Sequence, residues 1–344
     1  MQEIDRIISP ADSTRSITVG SVALYDSDES IVRTNEPSPF SRGGPGANYM
    51  IKPDIVDYGG NISKSMCVQG LGMKGLDING SVVENIGTSY ATPRAVQKFA
   101  TILDELIEKD LLLAKCILIH SARMNMHELS GDEKCEKTFN GRYYGFGIPS
   151  LEAKDILQCS ENEVTIVFKQ RVSQGSHIEM FDFPYPKSLI NDGKCYGEIY
   201  LTLAYNPSLD EDYGNEYCRT NVEASFGTYE YKNGKMRYNS KVPMEKLWDK
   251  NIEEPMIEHG SKWNPIKTYH RKIKDGIKAK DGWKLRVDMT NRNGVNTPFQ
   301  DFVLIVTIKD CNGTDIYTEI VNEFKNKGYV VNNLQTKLQI RQRQ

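Results

Sequence analysis

A chain of 344 residues, 39% hydrophobic and 26% charged, has the composition of a globular protein and the length of two ordinary domains. Its net charge of −3 excludes a general electrostatic binder of nucleic acid. Its longest apolar stretch, near Leu111 to Ile119, is too short to cross a membrane and contains Lys115.

In chain order, Ser16 to Leu24 reads as a buried strand and Ile51 to Val56 as an extended segment held by Pro53. The glycine-rich, polar stretch from Gly59 to Gly80 reads as a surface excursion. It leads to Gly87-Thr88-Ser89-Tyr90-Ala91-Thr92-Pro93, which places a serine on a turn opening into a helix. Amides of a first helical turn lack intrahelical acceptors and sit at the positive end of the helix dipole. A developing oxyanion could be held there. The plain alternative is that Ser89 caps the helix. Gly87 permits the tight turn, and Pro93 is expected within the first turn, where its missing N–H costs little.

From Ala91, the positions Ala95, Phe99, Ile102, Leu103 and Leu106 recur every three or four residues and predict a helix with one apolar face. A second helix is expected from about Leu111 to His120. Cys116 and His120 are four apart on it, with His127 and Cys135 beyond, but this is not a recurrent structural-zinc spacing. A packed thiol and a helix-end histidine are expected instead, with no metal and no cofactor.

After Leu157 the period changes to two. Val164, Ile166 and Phe168 alternate with polar residues, as do Ile199 to Tyr205, Leu285 to Met289 and Phe302 to Ile308. Asn233-Gly234, Asp281-Gly282, Asn293-Gly294 and Asn312-Gly313 punctuate these runs as turns. An antiparallel β-sandwich of about eight strands is expected, ending in a strand with Leu338 and Ile340. Asn206 to Cys218 and Lys241 to Asn264 read as loops or short helices, with Trp248 and Trp263 as anchors. The basic run Tyr269 to Lys280 reads as a solvated face. The seven cysteines are odd in number and form no Cys-x-x-Cys pair, so reduced thiols are expected.

The segment around Ser89 resembles the catalytic-serine motif of the subtilisin-like serine proteases, with Tyr90 where methionine is usual. Three further segments are similar to that family in the same order. Ser9-Pro10-Ala11 with Ile17-Thr18-Val19-Gly20-Ser21 comes first, then Phe40-Ser41-Arg42-Gly43-Gly44 with Lys52-Pro53-Asp54, and Tyr144-Gly145-Phe146-Gly147 closes the set. The resemblance implies that Ser89 is a nucleophile and its backbone amide an oxyanion donor. It implies an α/β fold for residues 1–157, the C-terminal half of a subtilisin-like peptidase domain with part of its parallel sheet and helices. Residues 158–344 would be an all-β accessory domain.

The family's Asp-Ser/Thr-Gly, His-Gly-Thr and Ala-Gly-Asn motifs are absent, and all five histidines follow Ser89. A serine hydroxyl without a base in reach is a poor nucleophile. The expectation is therefore an endopeptidase acting on a polypeptide, N-terminally truncated in this chain, with its Asp, His and oxyanion Asn supplied elsewhere. The alternative is a split or degenerate subtilase acting as an interaction module. A β-domain after a peptidase half is also similar to bacterial intracellular subtilases encoded beside an AAA-type ATPase, which implies a cytoplasmic location and that class of partner.

Overall fold

The computed structural model describes residues 5–130, 141–247 and 254–328. Cys135, Trp248 and the strand expected at Leu338 and Ile340 lie outside the described residues. The chain divides into two compact units that interleave along the sequence, where the sequence reading draws one boundary at 157/158. The first takes residues 1–102, 121–153 and 246–261, and the second takes 103–120, 154–245 and 262–344.

The first unit is built on two parallel strands, β1 (Val19–Val22) and β2 (Ile55–Tyr58), in the register Val19↔Ile55 to Val22↔Tyr58. β1 is shorter than expected because its flanks bond to loops. Asp54 N–H donates to Thr18 O, and Ala23 N–H donates to Glu36 O. The excursion after β2 begins inside the unit, since Gly59 to Ser63 are buried. Asn61 Nδ2 donates to Val32 O and Tyr25 O. The remainder folds into an antiparallel hairpin of β3 (Met73–Leu76) and β4 (Val82–Asn85). Its turn is fixed by the Asp77 carboxylate, which accepts the Asn79 and Ser81 amides. Val22, Val56, Tyr58, Met126, Tyr144 and Ile148 form the core beside the parallel pair.

Helix α1 (Thr88–Glu105) follows the Ser89 turn, and α2 (Leu111–Ser130) is ten residues longer than the expected stretch to His120. Asp110 starts α2 by accepting the Leu112 and Leu113 amides on its carboxylate. Beyond His120, Ala122 and Met126 are fully buried, and the polar Arg123 and His127, four residues apart, are buried as well, which hides the apolar face from a sequence reading.

The second unit carries two antiparallel sheets. The strands are β5 (Glu163–Ser173), β6 (His177–Met180), β7 (Ile190–Asn191), β8 (Lys194–Tyr205) and β9 (Thr220–Lys232), followed by β10 (Lys235–Val242), β11 (Ile266–Lys278), β12 (Gly282–Asn291) and β13 (Phe299–Lys309). One sheet has the order β10-β9-β12-β6 and the other β11-β8-β13-β5, with β7 on β8. Alternate residues from both, including Leu201, Leu203, Phe226, Trp283, Leu304 and Val306, share one hydrophobic cluster. The four period-two runs all lie in these strands.

Asn233 and Gly234 both have positive φ and make the two-residue hairpin turn between β9 and β10. Asp281-Gly282 makes no hairpin: it joins β11 to β12 in the other sheet, and the Asp281 carboxylate accepts the Tyr231 amide. Asn206 to Cys218 contains a 3-10 turn, Glu211–Glu216, and Trp263 is buried with the Arg292 guanidinium 3.8 Å from its ring centre.

Cys116 and His120 pack within this unit. The Cys116 thiol donates to Thr202 O at 3.5 Å, and burial pushes its pKa up. The His120 imidazole lies between the Thr202 and Thr307 hydroxyls, 2.8 Å from each. Burial pushes its pKa down from 6.5 to about 3. Between those values the unfolded chain holds one more proton than the folded one, so stability falls as pH drops from 6.5 toward 3 and the contribution is intact above 6.5. Stability relative to a His120→Gln variant is expected to decline by about 1.4 kcal/mol per pH unit across that window. Urea titrations of both proteins at several pH values check this, and parallel profiles would contradict it.

The six described cysteines are free thiols. No helix among the described residues is long and apolar enough to cross a membrane.

Candidate active site

The four segments singled out in the sequence meet in the first unit. Lys52 and Asp54 form a buried ion pair at 2.5 Å. Lys52 Nζ also donates to Ser16 O and Thr18 Oγ1, and Asp54 Oδ2 accepts the Thr18 amide at 2.7 Å. The Ser41 hydroxyl accepts the Ser21 amide of β1, and Gly44 N–H donates to Arg142 O. Phe146 N–H donates to Asp54 O, and Val56 N–H donates to Gly147 O, which binds the Gly-x-Gly segment along the entry to β2.

Gly145 and Gly147 have φ of +58° and +124°. A Cβ at Gly145 would lie 2.0 Å from Pro53 O, and one at Gly147 would lie 2.1 Å from Met126 Cγ. Gly145→Ala combines a left-handed backbone with a collision against backbone, so a loss of about 3 kcal/mol is expected. Urea unfolding measures it, and a loss under about 1 kcal/mol would contradict the contact.

Ser89 stands where β2 and the Gly87 turn come together. Gly87 N–H donates to Gly59 O at 2.9 Å, and Tyr90 N–H donates to Gly87 O at 3.0 Å. Gly59 must be glycine for this approach, because a Cβ there would lie 2.2 Å from Ser21 Oγ and 2.6 Å from Gly87 O. Gly87 is the residue before the helix, so it holds the capping position. Ser89 is the second residue of α1 and is exposed. Its amide is one of the donors a helix cannot satisfy internally. Pro93 is the sixth helical residue, one turn later than expected, and its ring lacks the N–H that would bond the Ser89 carbonyl.

Behind Ser89, α1 is tied to β2 by charge, a feature that sequence reasoning missed. Asp57 is fully buried, and its carboxylate accepts from Arg94 Nε at 3.1 Å, Lys98 Nζ at 2.7 Å and the Tyr58 amide at 2.8 Å. Burial holds the Lys98 ammonium below its usual pKa, with Asp57 opposing the shift. Burial also raises the Tyr58 hydroxyl, whose ring lies 5.8 Å from the Arg94 guanidinium.

No hydrogen bond among the described residues reaches the Ser89 hydroxyl. Four of the five histidines have partners elsewhere. His120 bonds the two threonines, His127 Nε2 meets Arg123 Nη2 at 3.1 Å, His270 Nε2 meets Glu198 at 2.8 Å, and His177 lies 3.6 Å from Glu179. The chain thus presents an accessible hydroxyl beside an unpaired helix-start amide, on a cross-braced parallel pair.

Residues 2–147 are similar to the subtilase family, whose model matches them. An uncharacterized protein, y4bN, of Sinorhizobium fredii is 28% identical to the chain over 232 residues, covering 60% of this chain and 52% of that protein. The chain therefore spans about half the length of that relative.

Proposed function

We propose that this chain carries the nucleophile of a subtilisin-like serine endopeptidase. The Ser89 Oγ attacks a peptide carbonyl carbon while a base takes its proton, and the Ser89 amide donates to the resulting oxyanion. The proton passes to the departing amine, leaving an acyl-serine that water hydrolyses. The placement of Ser89 carries this reading: exposed, second in α1, and set by the Gly59–Gly87 contact. Asp, His and the oxyanion Asn are contributed by residues outside this sequence, in a longer polypeptide or a partner chain. The two antiparallel sheets are read as a sandwich-type accessory domain for substrate or partner docking, with an AAA-type ATPase as the partner class.

Hydrolysis of unfolded casein tests the reading. The sequence joined to segments bearing the Asp and His motifs is expected to hydrolyse it, and Ser89→Ala should lower the rate by at least about 10³-fold. The 344-residue chain alone should be inactive. Hydrolysis that survives Ser89→Ala would contradict the assignment. A folded but inactive joined protein would favour the non-catalytic interaction module.

A further inference from the structure

The second unit has an open sheet edge suited to a partner strand, a use that rests on the docking role proposed for the two sheets and not on Ser89. Strand β10 ends its sheet and pairs there with β9 alone. The pairing fixes which of its backbone groups are open. Asn233-Gly234 is a two-residue turn, so the flanking Lys232 and Lys235 exchange both backbone bonds. The alternation of an antiparallel ladder then gives β9 the groups of Lys235, Arg237 and Asn239, and turns the N–H and C=O of Met236, Tyr238 and Ser240 outward. Among the described residues no other backbone group pairs with these amides. The edge closes at Lys241 O, which accepts from Arg271 Nη1 at 2.7 Å.

The two faces of this strand differ. Lys235 and Arg237 share one face with Lys232 across the turn, and all three are exposed. Among the described residues none of the three makes an ion pair. Glu230, opposite Arg237, is the acid of that face, and Lys280 Nζ bonds it at 2.9 Å. Met236, 38% exposed, and Tyr238 lie on the other face, opposite Tyr231, 63% exposed, and Tyr229.

Cations on an edge hinder pairing with a like chain. A second β10 paired antiparallel and centred on Tyr238 would set Lys235 against Lys241, and one centred on Met236 would set Lys235 against Arg237. An acidic strand meets no such repulsion. We propose that β10 accepts, as an added antiparallel strand, an extended segment of another polypeptide in which acidic and apolar residues alternate. Its carboxylates face Lys235 and Arg237, and its apolar side chains lie beside Met236 and Tyr238. Residues directly opposite in such a pair share a face, so the apolar residues of the segment are those whose N–H and C=O bond Met236 and Tyr238.

Fluorescence anisotropy with a labelled peptide of alternating Glu and Val tests this on the full chain. The peptide should bind, and a version N-methylated at every valine at least about tenfold more weakly, because its backbone bonds to the edge are lost. N-methylation of the glutamates, whose nitrogens point to solvent, should cost much less. Lys235→Ala/Arg237→Ala should weaken the unmodified peptide about tenfold with an unchanged melting temperature. Binding is read without hydrolysis, so failure here leaves the role of Ser89 untouched. Equal binding of the valine-methylated and unmodified peptides by the unaltered protein would overturn the proposal without recourse to any variant. So would displacement of the peptide by a single-stranded oligonucleotide of equal charge, which would make the hairpin a plain cationic surface, or no binding at all.

Discussion

Replacing Asp57 by alanine is expected to destabilise the first unit by about 3–5 kcal/mol, a large part of a domain's stability. The carboxylate is fully buried and neutralises two cations of unequal freedom. The Arg94 side chain is 37% exposed and can turn its guanidinium to water, but Lys98 is only 5% exposed and keeps its ammonium inside. Without Asp57 the protein must deprotonate Lys98, or drag it and α1 outward. Asp57→Ala/Lys98→Met should therefore recover most of the loss, since a buried ion pair replaced by apolar groups is often neutral. Urea unfolding of the two variants distinguishes the cases. A loss under about 1 kcal/mol for Asp57→Ala, or no recovery in the double variant, would show that the charge does not anchor the helix.

That pair also marks where the sequence is opaque. The buried stripe of α1 is Ala91, Ala95, Lys98 and Ile102, at helical spacing, but a lysine reads as a solvent residue. Its partner lies 41 residues earlier, in a segment where Asp57 has no local signal. Arg123 and His127 conceal the second half of α2 in the same way. The β3–β4 hairpin escapes notice because Leu76, Ile78 and Val82 are exposed, so no alternation marks a buried face.

Legibility is high where chemistry is local. The period-two runs of β5, β8, β12 and β13 each have one face in a shared core, and Asn233-Gly234 needs only its own backbone to turn. The Ser89 turn is legible for the same reason, because Gly87, a serine and an apolar-periodic helix follow within a few residues. What the structure adds there is the long-range part. Gly59, 28 positions before Gly87 in the chain, receives its amide, and the Lys-Pro-Asp and Gly-x-Gly segments lock β2 through Asp54 O and Gly147 O. Motifs that are short and separate in sequence thus converge on one scaffold. The base is a different matter: the histidines whose partners are known bond elsewhere, and the sequence motifs that would supply one are absent.

The second large effect concerns Ser89 itself, and it gives the most direct measurement. A fluorophosphonate reacts with a serine only when a base takes the hydroxyl proton and the oxyanion is held, so adduct formation reports both together. Treated with such a probe, the sequence joined to segments bearing the Asp and His motifs should carry the adduct on Ser89, mapped by peptide mass spectrometry. The 344-residue chain alone should carry none, and neither should the joined Ser89→Ala protein. An adduct on another residue of the joined protein, or equal labelling of Ser89 in the chain alone, would contradict the account of Ser89 as a nucleophile whose base lies outside this sequence.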